Sequence, residues 1–461
     1  MLKKFIGDKA FYRRVFMIAI PIIIQNGITN FVSLLDNIMI GQVGTVQMSG
    51  VAIVNQLMFV FNLCIFGATS GAGIFTAQFF GSGDNDGIRH TFRFKILIGV
   101  LLTALGLGAF LFYGTPLIQL YLQGDGNTAD AASTLSYGLD YLKIMLWGLL
   151  PFAISNAYSG TLRECNQSTV PMIAGVCAVF VNLILNYVLI FGHFGAPAMG
   201  VRGAAVATVI SRYVELAIVA GWTHMHTQEV PYIIGAYRSM RIPGALTKQI
   251  IIKGMPLLIN EALWSTGMAL INQSYSTRGL DVVAATNISS TLNNLSSIVY
   301  LAMGNVVGII VGQLLGSGAD EKTVRDTDRK LIFTTVASCL MFGCLMAAFS
   351  GAFPLFYNTT QEVRDLATVL ICITAACMPF HAFAHGTYFT LRSGGQTMVT
   401  FLFDSCFVWV CSLPLSFCLS RFTGLPIIPM FAICQSCELL KCALGAYMLR
   451  KGTWIQNLVQ Q

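Results

Sequence analysis

The chain has 461 residues, 55% of them hydrophobic and only 10% charged, with a mean hydropathy of +0.70 and a formal net charge of +7. An ordinary soluble domain is about 25% charged, so a string of two or three soluble domains is excluded. Low-charge stretches near or above the ~20 residues that a helix needs to cross a bilayer recur from end to end. In chain order they predict twelve spans, at 15–40, 50–80, 94–122, 137–163, 169–193, 200–222, 251–277, 284–315, 331–356, 366–392, 398–420 and 426–449. The basic start Met1–Arg14 runs directly into the first of these, which argues against a cleaved signal.

Lysine and arginine set the expected orientation. With the N-terminus inside, the inner face collects 20 of them and the outer face four: Arg202, Arg278, Arg364 and Arg421. Both termini are therefore expected in the cytoplasm of a plasma-membrane protein. The positive charge is explained by an anionic inner leaflet, without nucleic acid. All 13 cysteines fall in spans or at their inner ends, which argues against a disulfide framework. Cys434-x-x-Cys437 lies in mid-span and reads as small-residue packing rather than as a redox or metal pair.

Residues 21–83 and 256–318 align without a gap at an offset of 235, with 13 identities in 63 pairs. Several of these are Pro, Gly, Asn and Gln, among them Pro21/Pro256, Asn37/Asn272 and Gln78-x-x-Gly81-Ser82-Gly83 against Gln313-x-x-Gly316-Ser317-Gly318. The chain thus reads as two lobes of six spans, residues 1–222 and 251–461, joined by a cytoplasmic linker, 223–250. An even number of spans per lobe implies a pseudo-two-fold axis along the membrane normal. Spans 4 and 10 share a further pattern, Leu162-Arg163…Gln167-Ser168 and Leu391-Arg392…Gln396-Thr397. Their arginines read as anchors on terminal carbonyls and lipid phosphate. Pro21, near the inner end of span 1, removes a helical hydrogen bond and is a candidate hinge.

Five acids lie clearly within spans: Asp36, Glu215, Glu261, Asp404 and Glu438. Each costs roughly 2.5–3.5 kcal/mol at mid-bilayer on the insertion scale and so needs a partner or a task. Glu215 has Arg212 three residues before it and Glu438 has Lys441 three residues after, so each is expected to be neutralised along its own helix. Asp404, near the inner end of span 11, is expected to reach interfacial water. Asp36 and Glu261 have no Lys or Arg within a turn and are the candidate cation carriers, one in each lobe. Asn182 and Asn186, four residues apart on span 5, present two amides on one face. They suit either a cation or interhelical hydrogen bonding.

The two six-span halves, Asp36-Asn37, the inner Gln-x-x-Gly-Ser-Gly turns, the paired Leu-Arg motifs and Gly200-x-x-Gly203-Ala204-Ala205-x-Ala207-Thr208 together resemble the multidrug and toxic compound extrusion family, closest in pattern to its NorM-like bacterial members. The resemblance covers nearly the whole chain. It implies a V-shaped antiporter exporting amphipathic, often cationic compounds in exchange for sodium ions or protons. It also implies an amino-lobe cation site at Asp36, Asn182 and Asn186. In the carboxyl lobe it implies a pair formed by Glu261 and the residue at position 381. That residue is His381 here, a departure that favours a proton relay over a sodium site. His385 lies one turn from His381, but with no further carboxylate or Cys obviously at hand no metal site is assigned.

Trp264, three residues after Glu261, and Tyr275 are candidate substrate contacts through stacking and cation–π attraction. The chain carries no phosphate-cradling Gly-Lys-Ser/Thr loop and no soluble domain large enough to hydrolyse ATP, so an ion gradient is the expected energy source. The expectation is an all-α membrane carrier, monomeric, with no cofactor beyond its coupling ion, Na+ or H+, and with no enzymatic role. A lipid-linked saccharide flippase of related plan is the alternative. It would favour a cavity rich in Arg or Lys, whereas the spans hold only Lys143, Arg212 and Lys441. A metal-assisted enzyme built on His381, His385 and Glu261 is a weaker rival.

Overall fold

A computed structural model describes residues 5–122, 128–357 and 359–460, and every regular element in them is helical. The first half comprises α1 (Lys9–Gly41), α2 (Thr45–Ser82), α3 (Asn85–Leu122), α4 (Thr128–Met145), α5 (Leu149–Glu164), α6 (Thr169–Phe191) and α7 (Val201–Met225). The second comprises α8 (Gly244–Ser276), α9 (Leu280–Gly316), α10 (Glu321–Ala348), α11 (Gln361–Ser393), α12 (Thr397–Phe401), α13 (Leu413–Phe422) and α14 (Ile427–Lys451). A 3-10 turn, Leu146–Gly148, joins α4 to α5 into one span. Two π turns, Leu402–Cys406 and Val408–Ser412, join α12 to α13. Each of the twelve predicted spans is therefore a helix or a jointed pair of helices.

Eleven of the twelve are apolar enough to cross a membrane by length and composition. The exception is α8, whose Lys248, Lys253, Asn260, Glu261 and Gln273 depress its hydropathy. Large exposed apolar side chains such as Leu111, Phe112, Ile184 and Val410 meet the requirement that lipid-facing surface be hydrocarbon. Helix ends extend beyond the apolar windows where polar groups cap them. The span expected at 331–356 begins ten residues earlier, because the Asp320 side chain accepts from the Thr323 N–H at 3.1 Å and Glu321 pairs with Arg325 at 2.6 Å.

Two compact units emerge: unit 1 contains residues 1–19, 77–83 and 255–461, and unit 2 contains 20–76 and 84–254. The divisions at 19/20 and 254/255 fall inside α1 and α8, each within two residues of the repeat prolines Pro21 and Pro256. The segment read as a linker belongs to unit 2 and is anchored there. Arg93 donates to the carbonyls of Ala236 (2.7 Å), Gly235 (2.9 Å) and Arg241 (3.2 Å), and Arg89 to that of Tyr232 (3.1 Å). Within unit 2, Val51, Val54, Ile65, Ile118, Leu149 and Ala205 form a core.

In unit 1 the repeated Gln-x-x-Gly turns meet each other. A Cβ on Gly81 would lie 1.9 Å from the Gln313 carbonyl oxygen, and one on Gly316 would lie 1.8 Å from that of Gln78. Each motif's glycine thus seats on the other motif's glutamine backbone, an approach only glycine permits. Gln78 is fully buried: its amide donates to the carbonyls of Ser393 (2.9 Å) and Gln456 (3.2 Å) and accepts from the Leu458 N–H (2.7 Å). The repeat was legible in the sequence because these residues recur; the reason they recur is this reciprocal contact. Gly316→Ala should force the helix ends apart, costing about 1–3 kcal/mol as overpacking does. A lowered thermal unfolding midpoint in detergent would register it, and an unchanged midpoint would refute the contact.

Candidate functional site

Unit 2 holds the first polar cluster. Asn186 on α6 is buried, with 1% of its surface exposed, and its Nδ2 donates to Asp36 Oδ1 at 2.7 Å. Asn182, one turn earlier, lies between Asp36 and Thr208. With its amide nitrogen turned to the carboxylate it donates to Oδ1 (3.2 Å) and Oδ2 (3.0 Å), and its oxygen accepts from the Thr208 N–H and hydroxyl at 3.3 Å each. Tyr141 of α4 hydrogen-bonds Asn55 at 3.3 Å and feels the charge of Asp36. The expected trio Asp36, Asn182 and Asn186 is thus brought together. Thr208, Tyr141 and Asn55 complete it. Thr208 ends the Gly200–Thr208 motif and was open to detection; nothing local in the sequence marked Tyr141.

No ion pair among the described residues includes Asp36. Beside it the Oδ1 of Asn186 is buried with no hydrogen-bond partner among those residues. Both amides present N–H groups to this carboxylate, so the group free to take a proton or a small hard cation is the carboxylate itself.

Unit 1 holds the second cluster, arranged differently from expectation. Asp404 does not reach interfacial water. Its Oδ1 accepts from Lys441 Nζ at 2.7 Å and its Oδ2 from Asn260 Nδ2 at 3.0 Å. The π turn at Leu402–Cys406 places Asp404 and Ser405 side by side against α8, the kind of local irregularity that re-aims functional side chains. Lys441 is therefore matched across helices to Asp404, not along α14 to Glu438. Glu438 stands 3.7 Å from His381 Nδ1. The acid within ion-pair reach of His381 is thus Glu438 and not Glu261.

His385 Nδ1 hydrogen-bonds the His381 carbonyl at 3.0 Å, and the Tyr300 ring packs on both imidazoles. No group of three or more His, Cys, Asp or Glu able to hold a metal occurs among the described residues. Glu261 forms no ion pair there; the charges acting on it are those of Arg392 and then Asp404. Trp264 is 38% exposed, whereas Tyr275 is only 6% exposed and packs 5.4 Å from Phe431. Tyr275 is thus a core residue in this conformation, beside the buried Cys434, and all 13 cysteines are free thiols.

The arginines of the Leu-Arg motifs have partners within the protein, Arg392 lying over the Phe389 ring. Arg163 donates to Gln25 Oε1 at 2.7 Å, and neither it nor Arg212, the expected partner, forms an ion pair with Glu215 among the described residues. Arg212 instead donates to the Gly148 carbonyl at 3.1 Å and lies over the Phe152 ring. Pro21 lies inside the continuous helix α1.

A polytopic helical bundle with cationless buried acids and no nucleotide-binding loop has the makings of a carrier. The MatE family profile matches residues 21–188 and again 256–418, repeating at the same 235-residue offset. The chain belongs to the MatE family, a family of membrane transporters. A probable multidrug resistance protein NorM of Thermotoga maritima is 24% identical over 457 residues, covering 96% of this chain and 93% of that one. Multidrug resistance protein MdtK of Edwardsiella ictaluri is 23% identical over 413 residues, covering 88% and 87%. The fold matches a mutant form of the Vibrio cholerae MATE transporter VcmN with a TM-score of 0.83 at 18% identity, over 98% and 99% of the two chains. It matches a MOP superfamily transporter from Pyrococcus furiosus with a TM-score of 0.82 at 17% identity, over 98% of each.

Arg163→Ala should remove the hydrogen bond to Gln25 and a cation near Glu215, destabilising the protein by about 1.5–3 kcal/mol, as loss of a hydrogen bond from a charged group does. Adding Glu215→Gln should recover part of that loss in a thermal unfolding assay. Equal destabilisation by the single and double variants would show that Arg163 does not serve Glu215.

Proposed function

We propose that this protein is a secondary active multidrug exporter of the plasma membrane. It expels amphipathic, often cationic compounds by alternating access while a cation, Na+ or H+, is taken up at Asp36. Several curated relatives are named as multidrug resistance proteins, among them the NorM of Thermotoga maritima and the MdtK of Edwardsiella ictaluri, which supports the substrate class. The observation that carries the coupling is Asp36 itself: a carboxylate held by neutral amides, without a basic partner, beside an unpartnered buried amide oxygen. A cation there would bind the carboxylate in place of the amide N–H groups that now hold it. Loading changes the charge of the cluster and thereby biases two conformations, the only way a bound ion can drive a transition.

The twenty-to-four bias of Lys and Arg supports cytoplasmic termini. Pro21, close to the junction of the two units, supports a hinge in α1. Exposed Trp264 is the substrate contact retained from the sequence reading, and Glu261 is the second candidate carrier. The protein acts as a monomer and needs no cofactor other than its ion. The flippase alternative has no support from the cations of unit 1, since Lys441 is consumed by Asp404.

Proteoliposomes under separately imposed sodium and proton gradients provide the test. Dye export should follow one gradient and fall by at least about tenfold in Asp36→Asn, equivalent to about 1.4 kcal/mol of lost coupling. Export by Asp36→Asn at the wild-type rate under both gradients would end the assignment.

A further inference from the structure

Asp36 and Asp404 are chemical counterparts in different units. Each gives one carboxylate oxygen to a side-chain amide, from Asn186 at 2.7 Å and from Asn260 at 3.0 Å. They differ in the second partner: at Asp36 it is the neutral amide of Asn182, and at Asp404 it is the Lys441 ammonium at 2.7 Å. We propose that Lys441 is a tethered cation that permanently fills, in unit 1, the place an exchangeable cation takes at Asp36. Asp404 then contributes nothing to ion exchange, and Lys441 is the residue that sets this half apart. The comparison with Asp36 rests on the function proposed above, whereas the test below does not.

Three observations support it. First, both oxygens of Asp404 are bonded, one of them to a cation. The oxygen bonded by Asn260 is fixed because Asn260 Oδ1 in turn accepts from the Ser405 N–H (3.2 Å) and hydroxyl (2.7 Å). Second, the Lys441 side chain is 5% exposed and its ammonium lies 5.3 Å from the centre of the Phe403 ring, so water does not solvate it. Releasing Asp404 to another ion would strand that ammonium in a low-dielectric interior, where an unpaired charge is strongly disfavoured. Third, the other titratable groups around Lys441 are engaged, Cys442 with the Phe380 carbonyl, while Glu261, which feels the charge of Asp404, forms no ion pair among the described residues. Glu438, on its own helix, stands by His381, and His385 bonds back to the His381 carbonyl.

The decisive variant is Lys441→Gln, which vacates the site while keeping its volume. In an Asp36→Asn background, full-length protein in detergent is unfolded thermally in choline chloride, in sodium chloride and at acid pH. Lys441→Gln should lower the midpoint in neutral choline chloride by at least about 4 °C. Sodium or acid should restore it, because a free cation or proton then takes the vacated place. Adding Asp404→Asn should restore it without any cation and abolish the response, and Lys441→Arg should show none. A parallel 22Na+ or proton-binding measurement should gain one equivalent in Lys441→Gln and lose it again with Asp404→Asn. A cation response equal to that of the parent, or one surviving Asp404→Asn, overturns the proposal. So does a Lys441→Gln protein that cannot be recovered under any of the three conditions. Failure of the Asp36 assignment would show instead as normal export by Asp36→Asn, a different readout.

Discussion

An ionised carboxylate inside hydrocarbon must be met by a cation or by polar hydrogens, and this constraint organises the protein. Lys95 on α3 reaches across to Glu164 at the end of α5. Asp404 takes both Lys441 and Asn260. Asp36 alone of these carboxylates is met only by neutral groups, two amides supported by a threonine. The others hold helices together. Asp36 is held ready for something that is not part of the chain.

The same constraint separates the two halves of a repeated sequence. The repeat supplies matching helices, matching prolines and the reciprocal Gln-x-x-Gly contact, all of which are backbone properties. The polar clusters do not repeat. Asn26 aligns with Glu261 and Asp36 with Ile271, so the ionisable side chains were free to diverge on a common frame. One unit places its carboxylate among amides, and the other provides a lysine. A carrier built on two like halves therefore does not need two like ion sites.

Pairing by helical spacing proved a poor guide inside the bundle. Glu438 and Lys441 are three residues apart, and so are Arg212 and Glu215, a spacing at which exposed pairs meet. In the interior, long side chains find better partners on neighbouring elements: Lys441 finds Asp404, and Arg212 finds the Gly148 carbonyl. An exposed pair on one helix gains only about 0.2–0.5 kcal/mol. A buried charge left unmatched costs several times more, so tertiary geometry overrides local spacing. The π turn at Leu402–Cys406 adds to this, because it re-aims Asp404 away from where regular helical counting puts it.

Hydropathy, charge asymmetry and the 235-residue repeat determined the twelve helices and their membrane setting, because these depend on periodicity, whereas the trio Asp36, Asn182 and Asn186 came from the family resemblance. The seventh span was legible as well, though α8 is polar enough to fall below a hydropathy threshold. Only the folded chain decided that Lys441 belongs to Asp404, that His381 faces Glu438, that Arg163 bonds Gln25 and that Tyr275 is core. Those facts depend on the rotation and depth of one helix against another. A sequence records which side chains a helix carries, but the partner each one meets is set by the neighbours that packing brings to it.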